Sequence, residues 1–154
     1  MPYTIIVDAT YQTDADTTFE AALNPSEMAR AMRGLATYDG LPQRNIRQGE
    51  TMHVDVTLLR LFHTRNHVMH VERLDRGARI VQSREHNPSI RRWDHRLSVQ
   101  PSNDGCLWRD MVVVDAGWRS AITARFARFV YTRRHRTRNA LRIRSLIQRG
   151  DVAP

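Results

Sequence analysis

Arg91-Arg92-Trp93-Asp94-His95-Arg96-Leu97-Ser98-Val99-Gln100, then Pro101-Ser102-Asn103-Asp104-Gly105, then Cys106-Leu107-Trp108-Arg109-Asp110-Met111-Val112-Val113-Val114-Asp115 is the stretch on which the fold turns. Two runs rich in aromatic and β-branched residues flank a cluster of turn formers, which is the pattern of a β-hairpin. Ala116-Gly117 ends the hairpin and a long helical run follows. Side chains alternate between the faces of a strand, so Trp93, His95, Leu97 and Val99 share one face. Trp108, Asp110, Val112 and Val114 share one face of the partner strand. A loop of four residues, Pro101 to Asp104, sets His95 opposite Asp110 and Leu97 opposite Trp108. A slip of one residue would pair Arg96 with Asp110 instead and abolish the site.

His95 and Asp110 lie among apolar neighbours, so each needs a hydrogen-bond partner if it is buried. Two readings follow. The pair either holds its place, as a structural tie that closes the core or by orienting a ligand's hydroxyl or carbonyl, or it acts as general acid–base.

Downstream, Trp118, Ile122, Phe126, Phe129 and Val130 recur at spacings of three and four, so this stripe is expected to be the core face of a helix. Thr137, Ala140, Leu141 and Ile147 continue it more weakly, and Gly150 is a natural stop. About 30 residues of helix span roughly 45 Å, enough to cross a whole sheet.

Upstream, Tyr3 to Tyr11 reads as a first strand. Two short helices follow, around Phe19–Leu23 and Glu27–Met32, separated by Asn24-Pro25-Ser26. Gly34 and the loop Asp39-Gly40-Leu41-Pro42 close this unit. Glu50 to Phe62 reads as a long strand, His63 to Asn66 as a turn, His67 to Leu74 as a strand, Asp75-Arg76-Gly77 as a turn and Ala78 to Glu85 as a strand. Short connections between strands require antiparallel neighbours. Met52, Val54, Val56 and Leu58 mark the inner face of the long strand. His53, Asp55 and Thr57, with His70 and Glu72 next door, are expected on the outer face.

The bulk numbers bound the function classes. With 154 residues, 41% of them hydrophobic, the chain suits one domain with one core, residues 1–154. No apolar run of about 18 residues occurs, so no transmembrane helix is expected. The N-terminus has no signal-peptide pattern. The lone cysteine, Cys106, excludes an internal disulfide, which fits the cytoplasm, and is read as a packing residue rather than a nucleophile. All 24 basic residues are arginine, the formal charge is +8 and the isoelectric point is near 11.0. Ten arginines and no acidic residue lie between Arg119 and Arg149. That helix could meet RNA, a ribosome, an anionic membrane or an acidic partner, or could simply be solvated. His53/Asp55 and His67/His70 lack metal-site spacing, and no nucleotide-binding or nucleophile-elbow motif is present, so neither metal nor cofactor is expected.

The order of elements and three local motifs are similar to the SRPBCC superfamily, the START-like and polyketide cyclase-like ligand-binding proteins. Those motifs are Arg92-Trp93-Asp94-His95, the turn ending Asp104-Gly105 with Trp108-Arg109-Asp110-Met111-Val112 after it, and Val114-Asp115-Ala116-Gly117 leading into a helix that carries Arg133-Arg134-His135. The resemblance implies an α+β helix-grip fold, in which a curved antiparallel sheet of six to seven strands wraps a long C-terminal helix. It further implies a cavity between sheet and helix for an apolar or aromatic small molecule such as a lipid, quinone or polyketide-like compound. Trp93, His95, Leu97, Trp108, Asp110, Val112, Ile122 and Phe126 are the expected wall, and His95 with Asp110 are the candidates for any cyclase- or dehydratase-like chemistry. No catalytic motif decides between carrier and enzyme. A second copy of the chain is a further expected partner.

Overall fold

The structure, a computed structural model, describes residues 1–149, apart from the side chains of Ile143, Ser145, Leu146, Ile147 and Arg149. The expected contributions of Ile147 and Gly150 therefore lie outside the described residues. The elements run β1 (Tyr3–Tyr11), α1 (Ala15–Ala22), α2 (Pro25–Ala31), β2 (Ala36–Asp39), β3 (Thr51–Leu58), β4 (Phe62–Asp75), β5 (Ile80–Asn87), β6 (Ile90–Ser102), β7 (Gly105–Asp115) and α3 (Ser120–Arg149). All strands belong to one antiparallel sheet of order β1-β7-β6-β5-β4-β3-β2, which curls around α3.

Local chemistry sets the element ends. Asp14 caps α1 by accepting from the Thr17 amide at 2.8 Å, and Asn24 caps α2 by accepting from Ser26, with Pro25 in the first turn. At the β7–α3 junction Gly117 takes a left-handed φ of 64°, and its amide donates to the Asp115 carboxylate at 2.9 Å. Ser120 Oγ accepts from the Ala116 amide and donates to the Gly117 carbonyl, which locks the angle at which α3 leaves the sheet. Gly105 has no room for a side chain, because a Cβ there would collide with the Tyr11 carbonyl of β1.

The sheet falls into two halves. The ladders β1–β7 and β6–β7 are regular, and α3 packs on them. Ile5, Val7, Val112 and Val114 meet Ala124, Ala127 and Tyr131 in one buried cluster, where the alanines let the helix sit close to the strands. The ladders β3–β4, β4–β5 and β5–β6 each contain an irregularity, at Val54/Val56, Val71/Arg73 and Glu85/Asn87. Bulges bend a sheet and increase its twist, so this half arches away from the helix. A second cluster built on Phe19, Leu23, Val54, Val71, Val99 and Trp108 lies beneath it.

Four expectations need correction. The hairpin loop is Asn103-Asp104 alone, since Ser102 pairs with Gly105. His95 therefore lies opposite Val112 and Leu97 opposite Asp110, a shift of two residues that leaves every side chain on its expected face. The β3–β4 turn lies at Leu59-Arg60, both left-handed, rather than at His63–Asn66, which belong to β4. Asp39, expected to open a loop, instead ends an edge strand, Ala36–Asp39, paired with β3.

The fourth correction concerns α3. Trp118 is 93% exposed, Ile122 68% and Phe129 52%, so they are not core. The buried face runs Ser120, Ala124, Ala127, Tyr131, His135 and Arg138. Close packing on β1 and β7 selects small residues and leaves the bulky ones outside. Val130 is buried and Phe126 half-buried, at the edge between the two faces.

Candidate functional site

The space between the arched half of the sheet and α3 is a cavity of about 330 Å³, partly open to solvent. Leu23 and Met32 from the helical segment, Met52 and Met69 from the sheet, and Phe126 and Val130 from α3 supply much of its apolar wall. Of the residues expected from the sequence, Trp93, His95, Leu97, Trp108 and Phe126 line it. Asp110 and Val112 lie beneath the wall, fully buried, and Ile122 is on the far side of the helix.

Asp110 is the centre of the first polar cluster. It is 1% exposed, and each of its oxygens is occupied: His95 Nε2 donates to Oδ1 at 2.7 Å and His135 Nε2 to Oδ2 at 2.6 Å. Burial by itself would raise the Asp110 pKa. The hydrogen bonds donated by His135 and His95 outweigh it and hold the carboxyl well below the usual range. His135 is shifted down, because burial disfavours its charged form more than Asp110 favours it. A neutral His135 that donates from Nε2 has a lone pair on Nδ1, and Tyr11 Oη donates to it at 2.7 Å. The chain Tyr11–His135–Asp110–His95 thus ties β1, α3, β7 and β6 together.

The ring of His95 packs 5.1 Å from that of Tyr131, which stacks on Trp93. With Nε2 committed to Asp110, Nδ1 is the atom His95 has left for a hydrogen bond to a guest. A neutral ring presents an acceptor there and a protonated ring a donor.

A second cluster was not anticipated. Glu85, 6% exposed, accepts from Ser83 Oγ at 2.6 Å and from His67 Nε2 at 2.9 Å. Asn87 Nδ2 donates to His67 Nδ1 at 3.1 Å, which fixes the tautomer. Burial pushes the Glu85 carboxyl up, but the bond and charge of His67, the charge of His95 and the Ser83 bond bring it below its ordinary value. All four residues line the cavity. The signal was present, since Val81, Ser83 and Glu85 alternate on one face of β5. A buried Ser and Glu in that row nevertheless look like an outer face when only residue type is considered.

Arg134 and Arg138, also unanticipated, enter the cavity wall from α3. Their guanidinium carbons lie 4.5 Å from the Tyr131 ring centre and 4.3 Å from that of Trp108. The outer row behaves as expected: His53 bonds Asn66 and Asp55 accepts from the Asn66 amide, all three exposed, and the half-buried His70 bonds exposed Thr51. Among the described residues no group of three or more His, Cys, Asp or Glu side chains could hold a metal ion, and no helix is long and apolar enough to cross a membrane.

No family model matches the sequence, and no curated protein does. Solved structures do match in fold. Protein CV1439 from Chromobacterium violaceum superposes with a TM-score of 0.73 at 13% identity, over 90% of this chain and 96% of that one. Ara h 8.0201 gives 0.64 at 7% identity, over 90% and 98%. CalU16 from Micromonospora echinospora gives 0.61 at 14% identity, over 98% and 77%. At such identities the likeness is one of architecture, and the architecture is the α+β helix-grip fold.

Proposed function

We propose that this chain is a single START-like ligand-binding domain of the SRPBCC superfamily that holds an apolar or aromatic small molecule between its sheet and α3. The observation that carries this is the cavity itself. Its volume of about 330 Å³ and largely apolar wall suit a lipid, quinone or polyketide-like guest, and a few polar groups stand ready to orient it. His95, held by Asp110, is the group best set to read a hydroxyl or carbonyl on that guest. The lone, buried Cys106 fits a reducing cytoplasm.

The test is displacement of N-phenyl-1-naphthylamine, a neutral fluorescent probe, together with native mass spectrometry of protein purified from cells. Bound probe and a co-purifying small molecule are expected. Absence of both from folded protein would remove the proposal. His95→Ala separates carrier from cyclase- or dehydratase-like enzyme, because it weakens binding in the first and abolishes turnover in the second.

A second reading rests on the outer face of α3, where exposed Trp118, Ile122 and Phe129 stand with Arg125, Arg133 and Arg136. Apolar side chains flanked by arginine suit an anionic lipid surface. Sedimentation with phosphatidylglycerol vesicles but not phosphatidylcholine vesicles is expected. Binding to RNA alone, or assembly into a homodimer that covers this face, would replace that partner.

A further inference from the structure

The polar atoms left unsatisfied inside this protein have a common character. Among the described residues, the buried side-chain nitrogens and oxygens without a hydrogen-bond partner are Thr18 Oγ1, Trp108 Nε1, Arg134 Nε, Arg138 Nε and Arg138 Nη1. All but the threonine hydroxyl are N–H donors that cannot accept, and all of those donors sit on residues lining the cavity. Buried donors are almost always paired, so a cluster of unpaired ones marks a place where something is meant to be accepted.

The carboxylates nearby do not serve them. Both Asp110 oxygens are taken by histidines, and both Glu85 oxygens by Ser83 and His67. Glu27, partly exposed, comes no closer than 3.8 Å to Arg138 Nε, a long ion pair and not a hydrogen bond. Arg138 is only 5% exposed and lies against the face of Trp108, so its positive charge is held out of water beside an indole that also lacks an acceptor. A buried cation with two donors unmet, a hydrogen bond to Tyr11 and only a long ion pair to Glu27 is under-compensated, and an anionic guest would complete its pairing.

We propose that the natural guest is an acidic amphiphile, an aliphatic or aromatic body ending in a carboxylate, whose head group accepts hydrogen bonds from Arg138, Trp108 and Arg134. The proposal rests on the ligand-binding reading above and names the class of guest. Guanidinium and carboxylate match in planar, two-pronged geometry, and the match gains strength away from water. The apolar part of the guest then extends along Met52, Met69 and Leu97. His67 and His95, whose Nε2 atoms are committed to carboxylates, leave the head group to the arginines. The chamber is thus polarised, with cations entering from the helix and carboxylates already taken up by hydrogen bonds in the sheet.

The experiment uses the full chain preloaded with N-phenyl-1-naphthylamine, displaced in parallel by decanoate and by decan-1-ol at pH 7.5. Decanoate is expected to bind at least about tenfold more tightly, the effect of roughly one charge-assisted hydrogen bond. Arg138→Met keeps the bulk of the side chain and removes the donors. It is expected to erase the preference while probe binding persists, and Arg134→Met to reduce it. Arg65→Met, exposed on β4 and away from both the cavity and the outer face of α3, controls for general positive charge and is expected to change nothing. If Arg138→Met does not fold, Arg138→Gln with Trp108→Phe serves instead.

Equal affinity for acid and alcohol in the native protein, with the probe bound, overturns the acidic guest and leaves the cavity reading intact. A preference that survives Arg138→Met, or is lost equally in Arg65→Met, overturns it too. Failure of probe, acid and alcohol alike to bind the folded protein removes both.

Discussion

Asp110 and Glu85 are both buried carboxylates held by histidine, yet they do different work. Asp110 lies beneath the cavity wall and is bonded to residues from two other elements, one of them α3. Glu85 lies in the wall, and its partners Ser83 and His67 belong to the sheet alone. The first ties the sheet to its helix, and the second shapes the wall of the cavity. What a buried carboxylate does therefore depends on what its partners are attached to, not on how deeply it lies.

That contrast can be broken by experiment. Asp110→Asn should cost the most, about 3–5 kcal/mol, because two buried imidazole N–H groups lose a shared anion and the tie to α3 goes with it. Urea denaturation measures this, and a loss below about 1 kcal/mol would deny Asp110 its structural role. Glu85→Gln should cost less, about 1–3 kcal/mol, since Ser83 and His67 keep one acceptor between them, but should change ligand affinity more than Asp110→Asn does per unit of stability lost.

The pH dependence sharpens the same comparison. His135 has a folded pKa below its unfolded value near 6.5, so the unfolded chain takes up a proton first, and stability present above about pH 6.5 falls as pH drops below it. Asp110 and Glu85, also depressed, add stability that is present above their unfolded values near 4 and is lost only further into acid. Thermal melts from pH 7.5 to 3 should show two declines. His135→Gln should flatten the first, and Glu85→Gln should lessen only the second. The smallest effect is expected at the surface: Ile122→Ser should alter stability by no more than about 0.5 kcal/mol, and a larger loss would put Ile122 back in the core.

Much of this was legible in the residues. Alternation alone placed Trp93, His95, Leu97, Trp108 and Asp110 on the inner face, and because the true register differs from the expected one by an even number, the His95–Asp110 contact survives as a diagonal pair. The helix was harder. Hydrophobicity pointed to Trp118, Ile122 and Phe129, whereas packing chose the alanine line, since the distance between helix and sheet is a tertiary quantity with no local signature. The donors of Arg134 and Arg138 were hidden for the same reason: rotating the helix to its alanine face carries two arginines inward. Glu85 was missed because a charged residue in a strand is ordinarily outside.

The distribution of irregularities in the sheet has a broader consequence. Register breaks occur in the ladders of β3 to β6 and not in those that seat α3. The molecule is thus a regular clamp joined to a bulged vault. Inserting or deleting a single residue in the vaulted strands would resize the chamber while leaving the clamp, and the polar chain that fastens it, untouched. Architecture of this kind lets one scaffold accommodate guests of different girth without having to solve its folding problem again.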